Sequence, residues 1–137
     1  MNIDSIKNGI VIDHIKAGNG LKIYNLLGLD KLECPIAIIK NTNSKKMKRK
    51  DIIKIDASIG IDMDVLGYID SDVTVNIIKD GVLVEKKKIE LPKTIKNVVY
   101  CKNPRCITSV EQELSHIFEL DEDGTYRCIY CEAKAIE

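Results

Sequence analysis

Four cysteines in the last third of this sequence have the type and spacing of metal ligands. Cys101 and Cys106 form one close pair, Cys128 and Cys131 form a second, and residues 107–127 separate the pairs. Two close pairs joined by a hairpin-sized insert are typical of a zinc ribbon, because each tight turn supplies two thiolates. Four thiolates complete the tetrahedral shell of Zn²⁺ and leave no position for water. The pattern therefore predicts one structural zinc ion and argues against hydrolysis at the metal.

Two other interpretations of these cysteines carry less weight. A redox Cys-x-x-Cys at positions 128 and 131 would open a helix in a thioredoxin-like unit, and residues 125–137 have no such pattern. Isolated buried thiols are the second alternative. Cys34 stands outside the spacing, and we interpret it as a core thiol. Because the segment from Lys96 onward is too short to build its own core, we expect metal binding to supply about 10–16 kcal/mol toward its folding.

A second group of residues, earlier in the chain, could bind an anion. Asp13 and His14 come at the end of the first predicted strand. Lys50 and Lys54 share a face if their segment is a strand, and the basic run 86–88 follows the last predicted strand. Such a sheet face could hold phosphates by charge, while Asp13 accepts hydrogen bonds from ribose hydroxyls.

The alternative interpretation of these charged residues is structural. Both Gly-rich phosphate loops, G-x-x-x-x-G-K-[ST] and G-x-G-x-x-G, are absent from the sequence. Most lysines lie on solvated faces, and a lone histidine on a strand is more often a structural residue. The residue types alone therefore leave the nucleotide interpretation open.

The segments that must position these residues alternate between strand and helix patterns. We expect strands over 9–15, 35–39, 51–55, 73–78 and 82–84, and helices over 21–29 and 59–69. The polar segment 40–50 predicts a hairpin loop, and Asp80-Gly81 predicts a tight hairpin turn. This order predicts an α+β fold: a ferredoxin-like antiparallel sheet with two helices on one face, followed by a small all-β zinc-ribbon-like domain.

Two local details follow from the same patterns. In the first strand, alternation places Ile10, Ile12 and His14 on one face and Val11, Asp13 and Ile15 on the other. Asn19 stands just before the first helical pattern, and it is a candidate N-cap.

Bulk composition narrows the possible partners and location. Lys plus Arg and Asp plus Glu each number 21, so the net charge is zero and general attraction to nucleic acid or to a membrane is not expected. The sequence has neither a secretory signal nor an apolar run of about 20 residues, so we expect a cytoplasmic protein. Composition changes near Leu91-Pro92, which predicts a domain boundary within residues 92–96.

Several segments, taken in order, resemble one known family. The similarity runs from about residue 3 to residue 136 and is specific in combination. The segments are Gly9-x-Val11-Ile12-Asp13-His14-Ile15, Met47-x-Arg49-Lys50-Asp51-x-Ile53-Lys54-Ile55, Thr74-Val75-Asn76, Leu91-Pro92, Asn97-Val98 and Cys101-x-Asn103-x-x-Cys106-Ile107. Together with the four-cysteine spacing, they resemble the regulatory chain of aspartate carbamoyltransferase.

The resemblance implies both an architecture and a role. It implies an allosteric domain over residues 1–94 that binds the nucleoside triphosphates ATP, CTP and UTP as effectors. It implies a zinc-binding domain over residues 95–137 that docks on the catalytic chain. Regulatory chains of this family pair as homodimers that bridge two catalytic trimers in pyrimidine biosynthesis, and they carry no catalytic residue.

The resemblance also assigns site residues by matched position. The aspartate and histidine of the Val-Ile-Asp-His motif, two strand lysines, an asparagine, a lysine beyond the last strand, and two apolar residues near the base have counterparts here. These counterparts are Ile6, Val11, Asp13, His14, Lys50, Lys54, Asn76 and Lys86. Lys45 and Lys46 have no counterpart. Gly81 stands where the family has a tyrosine and Asp4 where it has a glutamate, and both departures bear on base discrimination.

Two other functions compete with that of a regulatory subunit. A zinc-ribbon nucleic-acid binder needs a basic face with exposed aromatic residues, whereas this zinc segment is acidic. Its acidic residues are Glu111, Glu113, Glu119, Asp121, Glu122, Asp123, Glu132 and Glu137. A small hydrolase needs a nucleophile–base pair or an open metal site, and the sequence indicates neither. His116 lies in the insert between the cysteine pairs, where we expect a packing or solvent-facing role.

Overall fold

The computed structural model describes residues 6–136 of the chain. The chain divides between Leu91 and Pro92 into two compact units. Each unit has its own sheet, and each is described by itself.

The first unit is a five-stranded antiparallel sheet with two helices. Its elements are β1 (Gly9–Lys16), α1 (Gly20–Leu26), β2 (Ile36–Ser44), β3 (Lys48–Ile55), α2 (Met63–Ile69), β4 (Thr74–Lys79) and β5 (Val82–Lys88), with a 3₁₀ turn over Leu29–Lys31. The strand order is β2-β3-β1-β4-β5, and every pair is antiparallel. The first four strands have the ferredoxin-like order with β5 added at one edge, so the predicted fold class is confirmed.

One face of this sheet carries the apolar core. Ile12, Ile53 and Val75 are fully buried side by side on β1, β3 and β4, and they pack with Ile23 of α1 and Leu66 of α2. Because side chains alternate across a strand, the residues between them point to the opposite face. The two helices therefore cover one face of the sheet, and the other face carries a mixture of polar and apolar residues, among them Val11, Ile52 and Lys54.

The predicted alternation in β1 is correct up to Asp13 and wrong beyond it. His14 has a left-handed backbone (φ 59), and the β1–β3 register shifts between Ile12 and Ile15. This bulge adds one residue to the strand, so Ile15 returns to the core face, where it is fully buried. Alternation had placed Ile15 on the opposite face.

Three other local predictions differ from the structure. The predicted loop 40–50 is mostly strand, because β2 continues to Ser44 and β3 begins at Lys48. The run 86–88 lies within β5 rather than after it. Asn19 makes no side-chain cap bond to α1. By contrast, Asp80 and Gly81 both have left-handed φ values, 53 and 76, as the predicted two-residue hairpin turn requires.

The second unit is a small sheet with one short helix. Its elements are β6 (Thr94–Lys96), α3 (Ile107–Val110), β7 (Ile117–Leu120) and β8 (Tyr126–Cys128), and the strand order is β6-β7-β8. Its buried apolar residues are few: Ile95, Val99, Phe118 and Tyr126 accompany two cysteines. Across residues 6–136, none of the helices is long and apolar enough to cross a membrane.

Candidate functional site

The four predicted metal-ligating cysteines come together in the second unit. Their Sγ atoms all lie within 4.8 Å of one another. The Sγ atoms of Cys101 and Cys131 are 3.5 Å apart, and those of Cys106 and Cys128 are 3.7 Å apart. A tetrahedron with Zn–S bonds of about 2.3 Å has edges of about 3.8 Å, whereas bonded sulfurs lie about 2.05 Å apart. The spacing fits four thiolates around one ion.

Hydrogen bonds from the two turns are aimed at these sulfurs. For each cysteine, the backbone N–H of the residue two positions later donates to Sγ; the donors are Asn103, Thr108, Tyr130 and Ala133. The Thr108 hydroxyl also donates to Cys106 Sγ at 3.1 Å. Such donors stabilise negative charge on sulfur and fix the directions of the ligands.

The pKa values of the four thiols are shifted in different directions by their surroundings. The Thr108 hydroxyl lowers the pKa of Cys106. Burial opposes ionisation of Cys131, but the Ala133 N–H and the Asn103 side chain lower its pKa to about 7. Burial raises the pKa of Cys101 to about 12 and also raises that of Cys128. A dication held by these four residues would favour the thiolate form of each of them.

His116 supports the first turn without joining the sulfur cluster. The Cys101 N–H donates to His116 Nδ1 at 2.9 Å, and the His116 ring meets the edge of Tyr100 with centroids 4.9 Å apart. His116 therefore has the packing role expected from sequence. Sequence reasoning missed the contributions of Asn103 and Thr108, although both stand two positions after a cysteine, where such donors are needed.

Four of the predicted nucleotide-site residues form one continuous row across the first unit. Val11 of β1 pairs with Lys54 of β3 on one side and with Asn76 of β4 on the other, and Asn76 pairs in turn with Lys86 of β5. With strands about 4.8 Å apart, this row of four residues is about 15 Å long. It lies on the face opposite the helices, since Ile10 and Ile12 on either side of Val11 belong to the core.

Three more of the predicted residues lie beside this row. Asp13 is two positions from Val11 on the same strand, and Lys50 Nζ lies 2.9 Å from Asp13 Oδ1. The His14 N–H donates to the same oxygen at 2.6 Å, and His14 Nδ1 is 3.0 Å from Thr74 Oγ1. Although burial opposes ionisation, the bond from Lys50 and the His14 N–H hold the pKa of Asp13 below its ordinary value. Asp13 is therefore a carboxylate held by the Lys50 ammonium and a backbone N–H.

Asn76 carries an uncommon feature at the middle of the row. Its Oδ1 atom is buried and has no hydrogen-bond partner in the part of the chain that the structure describes. Buried polar atoms are normally hydrogen-bonded to protein, water or ligand, so this oxygen can accept a donor from a molecule bound at the row.

The remaining predicted residue, Ile6, lies at the edge of the site. Ile6 is 7% exposed and its Cγ2 atom packs against Gly9, two positions before Val11. The Gly81 N–H donates to the Lys7 carbonyl at 2.9 Å, which holds the β4–β5 turn against this segment. Asp4 lies outside the described residues.

A cleft between the two helices of this unit does not suit an anion. It encloses about 320 Å³ between residues of α1, the 59–62 segment and α2, and most of its lining is aliphatic. Its one acidic side chain, Asp62, caps α2 by accepting the N–H groups of Asp64 and Val65. The row on the opposite face is therefore the better candidate for a charged ligand.

Fold and sites together define a class of two-part protein, in which an α+β unit with a charged open sheet face precedes a tetrathiolate metal-binding unit. Residues 1–90 match the family model described as aspartate carbamoyltransferase regulatory chain, allosteric domain, and residues 93–137 match the metal binding domain of the same chain. The chain therefore belongs to the aspartate carbamoyltransferase regulatory chain family.

Curated relatives agree with this assignment. The chain is 51% identical to the aspartate carbamoyltransferase regulatory chain of Clostridium acetobutylicum, over 100% of this chain and 99% of the relative. It is 52% identical to that of Clostridium botulinum over 96% and 92%, and 43% identical to that of Bifidobacterium longum over 98% and 99%. The resemblance inferred from the motifs is confirmed. The protein is a non-catalytic regulatory chain whose partner is the catalytic chain.

Proposed function

We propose that the open sheet face of the first unit binds nucleoside triphosphates, with ATP, CTP and UTP as allosteric effectors. The observation that carries this proposal is the row Lys54–Val11–Asn76–Lys86, with Asp13 and Lys50 beside it. Two lysines stand at the ends of this row with two uncharged residues between them, so the surface offers both charged and neutral contacts to a ligand with a polyanionic and a neutral part.

Each part of such a ligand has a chemical counterpart on the surface. Lys54 and Lys86 supply positive charge for phosphate oxygens. Asp13 accepts hydrogen bonds from ribose hydroxyls, while Lys50 and the His14 N–H hold its carboxylate ionised. The unpaired Asn76 Oδ1 accepts a donor from the ligand, and Val11 with Ile6 provides apolar contact for the base.

Replacing Lys54 or Lys86 by Ala is expected to weaken triphosphate binding about ten-fold or more, because a charged hydrogen bond contributes about 1.5–3 kcal/mol. Calorimetry with ATP and CTP measures the effect. Lys45→Ala is the matched control, an exposed lysine on the β2–β3 turn. Its neighbour Lys46 is less suitable because it lines a cleft of about 230 Å³ with Thr74 and Lys88. Equal affinities in wild type and all three variants would refute the nucleotide site.

We further propose that the metal is zinc and that the second unit docks on the catalytic chain, so that this chain bridges catalytic trimers in cytoplasmic pyrimidine biosynthesis. The closed set of four sulfurs supports a structural ion over a catalytic one. Exposed apolar side chains around the cluster, including Ile107, Val110 and Tyr130, supply contact area for a partner.

We also propose a homodimer formed through the first units. The edge strand β2 supports this proposal, because Ile36, Ala37, Ile38 and Ile39 are only partly buried and, within residues 6–136, the strand pairs with β3 alone. Sedimentation at micromolar concentration and physiological salt is expected to give twice the mass of one chain. A monomer under these conditions would contradict the proposal.

A further inference from the structure

Asp51 is a fully buried carboxylate that the proposed site does not use. It is 0% exposed, and it follows Lys50 on β3. Its Oδ2 accepts the N–H groups of Gly18 and Gly20 at 3.0 and 2.9 Å, and its Oδ1 accepts the N–H of Asn41 at 2.7 Å. One side chain thus ties the β1–α1 turn to strand β2 across β3.

These bonds occur where β3 has an irregular strand on each side. The β1–β3 pairing shifts register between Ile12 and Ile15, and the β2–β3 pairing shifts between Ile39 and Thr42. Regular ladder hydrogen bonds are interrupted at such shifts. The Asp51 carboxylate accepts N–H groups from both neighbouring segments at this point. These bonds replace the ladder hydrogen bonds that the register shifts interrupt.

The surrounding backbone is shaped to admit this carboxylate. A Cβ atom on Gly20 would lie 2.8 Å from Asp51 Oδ2, and Gly18 has a φ of 102. Gly20 also begins α1, so its N–H is among the first of the helix, which have no partner within the helix itself. The carboxylate therefore supplies the cap that Asn19 does not.

We propose that Asp51 is a positioning residue for the effector surface: by holding the bulged segments on both sides of β3, it fixes Lys50 against Asp13. Lys50 pairs with Thr42 on one side and with Lys16 on the other, so both of its neighbours follow a register shift. Release of the Asp51 bonds frees these segments and lets the Lys50 ammonium move away from Asp13. The affinity readout of this inference rests on the proposed nucleotide site.

The test is Asp51→Asn, which keeps the side-chain volume but removes the charge. Calorimetry with ATP is run on wild type, Asp51→Asn, Lys50→Ala and the double variant. We expect about a five-fold or greater loss of affinity in each single variant, and a loss in the double variant within about two-fold of Lys50→Ala alone. Additive losses, or unchanged affinity in Asp51→Asn, would overturn the proposal.

A second measurement does not depend on nucleotide. The pKa of Asp13, followed by carbon NMR, is expected to rise in Asp51→Asn toward its ordinary value, because the ammonium of Lys50 is no longer held beside it. Loss of the negative charge at position 51 alone would lower that pKa. A pKa that falls or does not change would therefore overturn the inference.

Lys54→Ala is titrated with ATP in parallel, as a separate test of the nucleotide site. Unchanged ATP affinity in Lys54→Ala counts against the nucleotide site rather than against the role of Asp51.

Two further variants control for stability. Asp62→Ala removes the N-cap of α2, where Asp62 Oδ1 accepts the N–H groups of Asp64 and Val65 at 3.0 and 3.2 Å, away from the segments that flank Lys50. It is expected to lower stability while changing ATP affinity less than two-fold. If Asp51→Asn does not fold, Gly20→Ala displaces the Asp51 carboxylate without removing it, and the same rise in the Asp13 pKa is expected. An unchanged Asp13 pKa in folded Gly20→Ala would overturn the proposal.

Discussion

Replacing Cys128 by Ala is expected to unfold the second unit and to leave the first unit folded. Cys128 is 1% exposed, its sulfur lies 3.7 Å from that of Cys106, and few apolar residues form the core around it. Metal binding in small structural zinc modules contributes about 10–16 kcal/mol, more than the core of so short a unit provides. Loss of one thiolate removes most of that stabilisation.

Atomic absorption and circular dichroism check this result. Wild type is expected to hold one equivalent of zinc, and Cys128→Ala much less than one. The variant is also expected to fail in assembly with catalytic chains. Cys34→Ala is the matched control, since this half-buried thiol packs against the core of the first unit and its loss is expected to leave the zinc content unchanged. Normal assembly of metal-free Cys128→Ala would contradict the proposed docking role.

Replacing Ile12 by Ala is expected to lower the stability of the first unit only, and this is the second largest effect that we expect from a single substitution. Ile12 is fully buried between Ile53 and Val75, at the centre of the sheet. Truncation of a buried isoleucine to alanine costs about 2–5 kcal/mol, from lost transfer energy and from the cavity left behind.

Urea unfolding of the first unit, with zinc content as a second readout, checks this prediction. The midpoint is expected to fall while zinc stays at one equivalent, because the cysteine ligands belong to the other unit. Val82→Ala, at a position that is 61% exposed, is expected to change stability by less than about 0.5 kcal/mol. A joint loss of zinc and of the sheet in Ile12→Ala would show that the two units do not fold independently.

The sequence predicted the order of elements but not the bulges. Alternation in 9–13 and the Asp80-Gly81 turn have clear local signatures, and the β-α-β-β-α-β-β order leaves few topologies. The left-handed φ of His14 has no such signature, since it accompanies a register shift against β3 and a contact with Thr74 of β4. The edge strands β2 and β5 are longer than predicted. Solvated edge strands carry charged residues, and such residues are also typical of loops.

The two candidate sites could be predicted from the sequence to different extents. Cysteine spacing located the sulfur cluster, because four residues at two turns define the ligand set by themselves. The alternation of side chains along a strand predicted that Lys50 and Lys54 share one face. Alternation could not predict that Lys54 lies in a row with Val11, Asn76 and Lys86, because that row depends on the register of three separate strand pairs. Asp51 stood in a recognised motif, but its role depends on bulges in two other segments.

The outermost member of the row, Lys86, lies on an edge strand of the sheet. Among the strands, β5 pairs with β4 alone, and its residues Val82, Leu83 and Val84 are more than half exposed. The same strand ends at Lys88, and the chain passes from there to Pro92, where the second unit begins. Lys86 therefore lies on the last strand before the metal-binding unit, and residues 89–91 are all that separate that strand from the second unit along the chain.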